Sequence, residues 1–264
     1  MAIDYLLAMG CGPHERLGVD RLVGLHRTRI MARAALAHLR AEGDRRAPAE
    51  IELQVATGTG PAASGRRAGM TLQAMLDESA ALDDVTPLCA ACPAGLTREL
   101  ACHRRIRYPI PEHVEAWLIG RLPATLACTA GTLLARGLAE LAWNGEPTAR
   151  LRASGPSYFE GRAPYGMRWE REGGALEVSS DQLFHMMFFV GNLAPSHCLM
   201  LALICGVVPH DISPADLRDE AARTRALAAA ELAPHPDPDI EQIAQFLRML
   251  AVAARLDVPI FIDG

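Results

Sequence analysis

Three cysteines near the middle of the chain have the residue type and spacing of metal ligands. Cys89 and Cys92 are separated by two residues, and Cys102 lies ten positions after Cys92. The two-residue spacing lets both sulfurs face one ion from a single turn of chain, which is why the pattern recurs in zinc sites and iron–sulfur loops. The sequence therefore predicts a metal site at these cysteines, holding either zinc or an iron–sulfur cluster, and does not decide between the two.

A closed structural metal site has four ligands, so these cysteines leave one ligand to be found. Cys11 is our first candidate, because it lies between two glycines at the end of a predicted strand, where another segment of backbone can approach closely. His14, His103 and Cys128 are the alternatives. His103 is adjacent to Cys102, which makes simultaneous ligation awkward, and Cys128 lies in an apolar stretch that predicts a packed helix.

Positively charged side chains follow the cysteine pair closely. Positive charge favours the thiolate form and would balance an anionic metal–thiolate centre. The same side chains could instead bind an acidic substrate, a phosphate or RNA, or simply belong to a solvated loop. They are Arg98, His103, Arg104, Arg105 and Arg107.

Two other interpretations of the cysteines stay open. A Cys-x₂-Cys pair also serves thiol–disulfide exchange when it begins a helix. Cysteine is also among the residues most often buried, so unconnected thiols in the core are the plainer alternative.

The leading functional hypothesis is an intracellular metal-binding protein whose site is structural or redox-active. A second hypothesis is a non-catalytic accessory or scaffold protein, which binds a protein partner or a second copy of itself through the apolar residues 183–208 and the acidic residues 211–264. A third is a small-molecule enzyme whose Arg104 and Arg105 receive an acidic substrate. The sequence does not decide whether the chain is an enzyme.

Lysine is absent from the chain, since all 26 basic residues are arginine. A Schiff base needs a lysine amine, so pyridoxal enzymes and lysine aldolases are excluded. The standard P-loop and the protein-kinase site each use a lysine on the nucleotide phosphates, so those classes are excluded as well.

The net charge and the cysteine content indicate the cellular location and the class of binding partner. The net charge is −5, so we expect no nucleic-acid partner. The seven cysteines are an odd number and no secretory signal precedes them, which indicates a cytoplasmic location with reduced thiols. Polar residues and proline interrupt the apolar residues 183–208, so we expect a buried helical hairpin there and no membrane helix.

Hydrophobic periodicity predicts an α/β or α+β fold, rich in helix, with a small, mainly antiparallel sheet and a cysteine-rich metal loop. We expect a single globular domain over residues 1–264, with a weak boundary near residues 144–156, and mostly loop over residues 83–107. Strands are predicted at residues 3–9, 51–57, 66–70, 167–171, 175–178 and 258–262. Helices are predicted at residues 20–42, 71–82, 112–122, 124–143, 179–190, 195–205 and 239–256, with one more beginning at Ser213.

Other polar residues have a structural explanation that we prefer. His185 and His197 lie in the apolar hairpin, where a histidine is more often a hydrogen-bonded core residue than a ligand. Asp181 and Glu177 could form an acid/base pair, but helix capping explains Asp181 more simply. Residues 179–182 resemble a capping box, which predicts that a helix begins there, and Thr71 is predicted to be a helix N-cap. Residues 155–161 are predicted to form a structured loop, with a ligand-binding loop as the alternative.

Overall fold

In the computed structural model, the chain is described for residues 2–56, 67–96, 100–171, 174–230 and 232–263. It divides into two compact units: a larger unit of Met1–Ala8 and Cys102–Gly264, and a smaller unit of Met9–Ala101. The fold is helix-rich with a small antiparallel sheet, which confirms the α+β prediction. The cysteine-rich metal loop and the single domain both stay predictions.

The chain begins in the larger unit, forms the smaller unit and then returns to the larger unit. Strand β1 (Ala2–Leu7) opens the larger unit. The smaller unit follows, with α1 (Gly12–Leu17), α2 (Val19–Ala41), a 3-10 helix (Pro48–Glu50), β2 (Glu52–Ala56), β3 (Arg67–Thr71), α3 (Leu72–Ser79), α4 (Ala81–Val85) and a second 3-10 helix (Thr86–Ala91). The chain then returns to the larger unit with β4 (His103–Arg107), α5 (Glu112–Ile119), α6 (Thr129–Glu140), α7 (Glu146–Ala153), β5 (Gly166–Arg171), β6 (Gly174–Ser179), α8 (Ser180–Phe188), α9 (Pro195–Ile204), α10 (Pro214–Arg218), α11 (Glu220–Ala228), α12 (Pro238–Leu256) and β7 (Ile260–Asp263).

The larger unit is built around β1, the central strand of an antiparallel sheet with the order β4-β1-β7. Residues 3–7 are all buried, as expected of a strand that is covered on both faces. Ile3 lies opposite Ile106 of β4, and Leu7 lies opposite Ile260 of β7. Helix α12 packs against both β4 and α9. Strands β5 and β6 form a separate antiparallel hairpin.

Aromatic rings connect the helices to the sheet in the core of this unit. Their centroids are 5.5, 5.9, 4.8 and 5.0 Å apart along the series Phe159, Phe184, Phe188, Phe246 and Tyr5. The apolar residues of α8 and α9 are buried within this unit. The hairpin at residues 183–208 is therefore core, as its predicted burial requires, and its apolar side chains do not form an exposed docking surface.

The smaller unit packs α2 against α3. One hydrophobic cluster of this unit contains Ala32, Ile51, Leu72 and Met75, with partly buried leucines of α2 around them. Thr71 is the N-cap of α3, where its Oγ1 accepts a hydrogen bond from the Ala74 backbone N–H at 3.2 Å, as the sequence predicts.

Three parts of the chain differ from the sequence-based expectations. Residues 83–107, predicted as mostly loop, contain the end of α4, the second 3-10 helix and all of β4. Helices α1 and α7 were both missed, and α7 lies inside the stretch predicted as a weak boundary. Strand β4 has the sequence His-Arg-Arg-Ile-Arg, and it is a strand because it pairs with the buried β1 rather than because of its own hydrophobic pattern. Arg98 of the predicted basic cluster lies outside the described residues.

None of the helices within the described residues combines the length and the apolar content that crossing a bilayer requires.

Candidate functional site

Cys89 and Cys92 lie at one end of the second 3-10 helix. Cys89 is within this helix and Cys92 is the residue that ends it. The Cys92 backbone N–H donates to the Cys89 carbonyl at 3.1 Å, so a single turn separates the two thiols. The Cys89 sulfur accepts a hydrogen bond from the Leu100 backbone N–H at 3.4 Å. Backbone donors of this kind stabilise thiolate charge in metal–sulfur sites.

Cys11 approaches this turn from another part of the smaller unit. It is the N-cap residue of α1, and α1 packs against the 3-10 helix that contains Cys89. The contact is close beside Cys11, because a Cβ placed on Gly12 would lie 2.7 Å from the Leu88 Cβ. Glycine at position 12 is therefore required for this approach. The close approach of another segment beside Cys11 is what its flanking glycines predicted.

The pKa of Cys11 is raised above its usual value. Burial is the main cause, the nearby His14 backbone N–H lowers the pKa by less, and negative charge on Cys92 and Cys89 would raise it further. Cys11, Cys89 and Cys92 thus form a group of three thiols on two segments of the smaller unit that pack against each other.

The sulfurs of this group are spaced more widely than in a closed zinc site. Among the described residues, the one group whose ligand atoms all lie within 4.8 Å of one another is His113, Asp237 and Asp239. Tetrahedral thiolate ligands of zinc lie about 3.8 Å apart, given a Zn–S bond of about 2.3 Å. Cys102, the remaining predicted ligand, belongs to the larger unit, where it is buried and its carbonyl accepts from the Leu7 N–H at 3.1 Å. Its ligand role stays a prediction.

The other cysteines have structural roles. Cys128 is the N-cap of α6, where its sulfur accepts from the Gly131 N–H at 3.3 Å and its thiol donates to the Thr125 carbonyl at 3.3 Å. Cys198 and Cys205 are fully buried, and burial raises the pKa of each thiol to about 12. Such thiols stay protonated at neutral pH and do not act as nucleophiles.

Several of the basic residues after the cysteines have partners within their own unit. Arg105 Nε and Nη2 donate to the two carboxylate oxygens of the buried Asp4 at 2.9 and 3.3 Å. His103 Nε2 lies 3.5 Å from the same carboxylate. Arg107 donates to Gln242 at 3.2 Å. The charges that could have received an acidic substrate therefore mainly fasten β4 to β1 and α12.

A buried ionic group in the larger unit was not found from the sequence. Arg152 donates to both oxygens of Glu115, at 2.6 and 3.0 Å, and to Asp181 at 2.7 Å. Ser180 donates to Glu115 at 2.5 Å. All four side chains are buried, and the Arg152 guanidinium lies 4.3 Å from the centre of the Phe159 ring. Burial by itself would lower the pKa of Arg152, but the hydrogen bonds that it donates to Glu115 and then to Asp181 hold its pKa above the usual value.

The partners of this group explain why sequence patterns miss it. Glu115, Arg152 and Asp181 lie on α5, α7 and α8, and α7 itself was not predicted. Asp181 does pair with a charged residue, but with Arg152 and not with Glu177, which binds the exposed Arg168 at 2.5 Å. Only the capping box at Ser179 gave a signal, because it fixes where α8 begins.

The group of His113, Asp237 and Asp239 has a structural explanation. Asp237 is the N-cap of α12, where it accepts from the backbone N–H groups of Asp239 and Ile240 at 2.9 and 3.1 Å. Its other oxygen lies 3.1 Å from His113 Nε2. The Arg107 guanidinium lies 3.5 Å from Asp239, and its positive charge opposes the binding of a cation.

The two histidines of the apolar hairpin behave as core residues. His185 Nδ1 accepts from the Gly145 N–H at 3.2 Å, and burial lowers the pKa of this histidine. The ring of His197 stacks on Trp143 with centroids 5.0 Å apart, and burial lowers its pKa to about 4. Neither histidine lies in a group of metal-ligating atoms within the described chain.

Comparison with other proteins does not add a functional assignment. The chain matches no protein-family model, no curated protein and no solved structure.

Proposed function

We propose that the smaller unit binds a thiophilic metal, as a zinc ion or an iron–sulfur cluster, through Cys11, Cys89 and Cys92. The observation that supports this most directly is the approach of α1 to the 3-10 helix at Gly12, because it brings the segment that carries Cys11 against the segment that carries Cys89 and Cys92. A shared cation would stabilise the thiolate forms of these side chains and displace their protons.

The donor set fits a soft metal. Cys thiolates select zinc, copper(I) and iron–sulfur clusters over hard cations such as magnesium. Cys89 already accepts a backbone hydrogen bond, which is the kind of outer contact that orients a ligand and tunes the metal. We expect the sulfurs to move closer together on binding, to the separation of about 3.8 Å that tetrahedral zinc requires.

The alternative of a working dithiol receives less support. A reactive Cys-x₂-Cys pair lies at the N-terminus of a helix, where the helix dipole lowers the thiol pKa. Cys89 and Cys92 lie instead at the C-terminal end of a 3-10 helix, so they lack the helix N-terminus that this chemistry uses.

The scaffold and acidic-substrate alternatives also receive less support. The apolar hairpin proposed as a docking surface is buried, and Arg105, proposed to receive the substrate, is bound to Asp4. The acidic-substrate alternative then depends on Arg104 alone.

The experiment is elemental analysis and a visible absorption spectrum on the same anaerobically purified sample. About one zinc per chain, or iron with labile sulfide and a brown colour, would support the proposal. A protein that contains neither metal, and takes up neither zinc nor a reconstituted cluster, would refute it. The Cys102→Ser variant tests the remaining predicted ligand separately: normal metal content would remove Cys102 from the ligand set.

A further inference from the structure

A cleft of about 590 Å³ opens on the surface of the larger unit. Small-molecule sites usually enclose roughly 300–1,000 Å³, so this cleft has the size for a metabolite. It is formed where the loop of residues 160–165, just before β5, faces the start of α5. Its lining residues are Glu112, Glu160, Arg162, Ala163, Pro164 and Tyr165.

The buried ionic group fixes both ends of this loop. At one end, Arg152 Nη1 donates to the Gly161 carbonyl at 2.7 Å. At the other end, the Tyr165 N–H donates to Ser180 Oγ at 3.2 Å, and the Ser180 N–H donates to the Tyr165 carbonyl at 2.8 Å. Glu115 accepts from both Arg152 and Ser180, so one buried carboxylate connects the two anchors. The backbone of a loop held in this way has little conformational freedom, which lowers the entropic cost of binding a ligand.

Glycine at position 161 lets the loop lie directly against Glu112. A Cβ added there would lie 3.0 Å from Glu112 Cγ and 3.3 Å from its Oε1. The Glu112 side chain therefore lies directly against the loop backbone, at the edge of the cleft.

The charged groups of the cleft are available to a ligand. Within the described part of the chain, Glu112, Glu160 and Arg162 have no ion pair or side-chain hydrogen bond, whereas Arg168 and Glu177 on the neighbouring hairpin bind each other. The cleft therefore presents two carboxylates and one guanidinium beside the ring of Tyr165.

We infer that this cleft binds a small molecule with a carboxylate at one end and an ammonium or guanidinium group at the other, of which free arginine is the representative. The ligand carboxylate pairs with Arg162, whose planar guanidinium suits a bidentate contact. The cationic end lies between Glu112 and Glu160. The aliphatic part of the ligand covers Pro164 and Tyr165. A ligand with one net positive charge complements the single net negative charge of the three side chains.

The test is isothermal titration of the full chain with L-arginine, with agmatine, which lacks the carboxylate, and with glutarate, which lacks the cation. We expect millimolar affinity for L-arginine and weaker binding of the other two. Arg162→Gln should weaken L-arginine by about threefold or more and leave agmatine unchanged, because an exposed ion pair contributes about that much. Glu112→Gln should weaken both cations.

Two further variants make the outcome decisive. Gly161→Ala keeps every charge but displaces Glu112, so it should weaken L-arginine as Glu112→Gln does. Glu78→Gln, a change at an exposed carboxylate of the smaller unit, should have no effect. Circular dichroism spectra that match the parent would show that the variants are folded. The inference fails if L-arginine shows no saturable binding up to about 10 mM, or if Arg162→Gln weakens L-arginine and agmatine equally.

Discussion

Arg152 and Glu115 form a bidentate ion pair in the interior of the larger unit, with Nη2–Oε2 and Nη1–Oε1 distances of 2.6 and 3.0 Å. Their side chains are 4% and 0% exposed, so neither charge is solvated by water. Asp181 brings a second carboxylate to the same guanidinium at 2.7 Å. The two buried carboxylates thus share one positive charge, the Arg152 guanidinium. Removing it leaves both carboxylates without a counter-charge.

Replacement of Arg152 should destabilise the larger unit strongly. Arg152→Met keeps most of the side-chain volume but leaves Glu115 and Asp181 as buried, uncompensated charges. Breaking a buried pair in this way typically costs about 3–5 kcal/mol. The free energy of unfolding measured in urea would show the loss, and the double variant Arg152→Met/Glu115→Gln should recover part of it.

Arg168→Met is the matched control for this change. Arg168 also contacts two carboxylates, Glu170 and Glu177, but its side chain is 58% exposed. Water solvates those charges after the substitution, so stability should change far less. Equal effects of the two substitutions would mean that the buried group does not hold the fold.

A close backbone contact in α6 gives a second prediction. A Cβ at Gly131 would lie 2.5 Å from the Leu126 Cα and 2.8 Å from its carbonyl oxygen, which are backbone atoms that cannot rotate away. Gly131→Ala should therefore lower the free energy of unfolding by about 1–3 kcal/mol, although alanine is the better helix former. Thermal unfolding followed by circular dichroism measures this change.

Gly24→Ala separates the steric effect from helix propensity. Gly24 lies in α2, and a Cβ there meets nothing within 4 Å. This substitution should stabilise the protein by about 0.5–1 kcal/mol, because alanine restricts the unfolded chain and favours the helix. A gain of similar size from Gly131→Ala would contradict the close packing of α6.

His197 should make stability depend on pH. Burial lowers its pKa in the folded protein from 6.5 to about 4. Below pH 6.5, His197 is protonated in the unfolded chain but stays neutral in the folded chain. Its contribution to the free energy of unfolding is therefore complete above pH 6.5 and is lost as the pH falls towards 4. Between pH 7 and pH 5 the loss from this group is at most about 2 kcal/mol. Burial also lowers the pKa of His14 and of His185, which adds to the effect in the same direction.

Urea unfolding of His197→Phe at the two pH values tests this assignment. Phenylalanine preserves an aromatic ring against Trp143 and removes the titrating group. The difference in unfolding free energy between pH 7 and pH 5 should shrink in this variant and stay at the parent value in His38→Gln, whose side chain is 72% exposed. An unchanged difference in His197→Phe would show that the acid sensitivity arises elsewhere.

Sequence patterns predicted those elements well whose own residues contain the apolar periodicity or the capping residues that define the element. Helix α12 has a continuous apolar face, and its observed bounds, Pro238–Leu256, agree with the prediction to within one residue. The capping box at Ser179 and Gln182 places the start of α8 correctly, with the Ser179 oxygen accepting from the Gln182 N–H at 3.3 Å. The antiparallel hairpin of β5 and β6 was likewise expected from alternation and glycines.

The parts that were missed depend on partners distant in the chain. Strand β4 is mostly basic, and it becomes a strand because Arg105 lies opposite Asp4 across the ladder. The contact of Arg152 with Glu115 joins residues 37 positions apart, and no local pattern encodes it. For the proposed metal site, the spacing of Cys89 and Cys92 and the glycines that flank Cys11 are the local signals in the sequence. The contact of Gly12 with Leu88 is visible only in the folded chain.

The metal proposal makes a prediction that separates ligation from packing. Cys11→Ser, Cys89→Ser and Cys92→Ser should each lower the metal content, because each removes a thiolate. Cys128→Ser should not, since serine can replace the sulfur that caps α6. The measurement is the metal content per chain after purification under one protocol. Full metal content in both single variants, Cys89→Ser and Cys92→Ser, would refute the site.

Gly12→Ala tests the geometry of the same site without removing a thiol. The added methyl group would overlap the Leu88 side chain at 2.7 Å and push α1 away from the 3-10 helix. Cys11 would move with α1, so we expect metal affinity to fall while all three ligands remain present. Competition with a zinc chelator measures the affinity, and Gly24→Ala, where the added methyl group meets nothing, is the matched control. The double variant Gly12→Ala/Leu88→Ala removes the overlapping side chain and should recover affinity. If Gly12→Ala binds metal as tightly as the parent, then Cys11 does not reach the metal from its position at the start of α1.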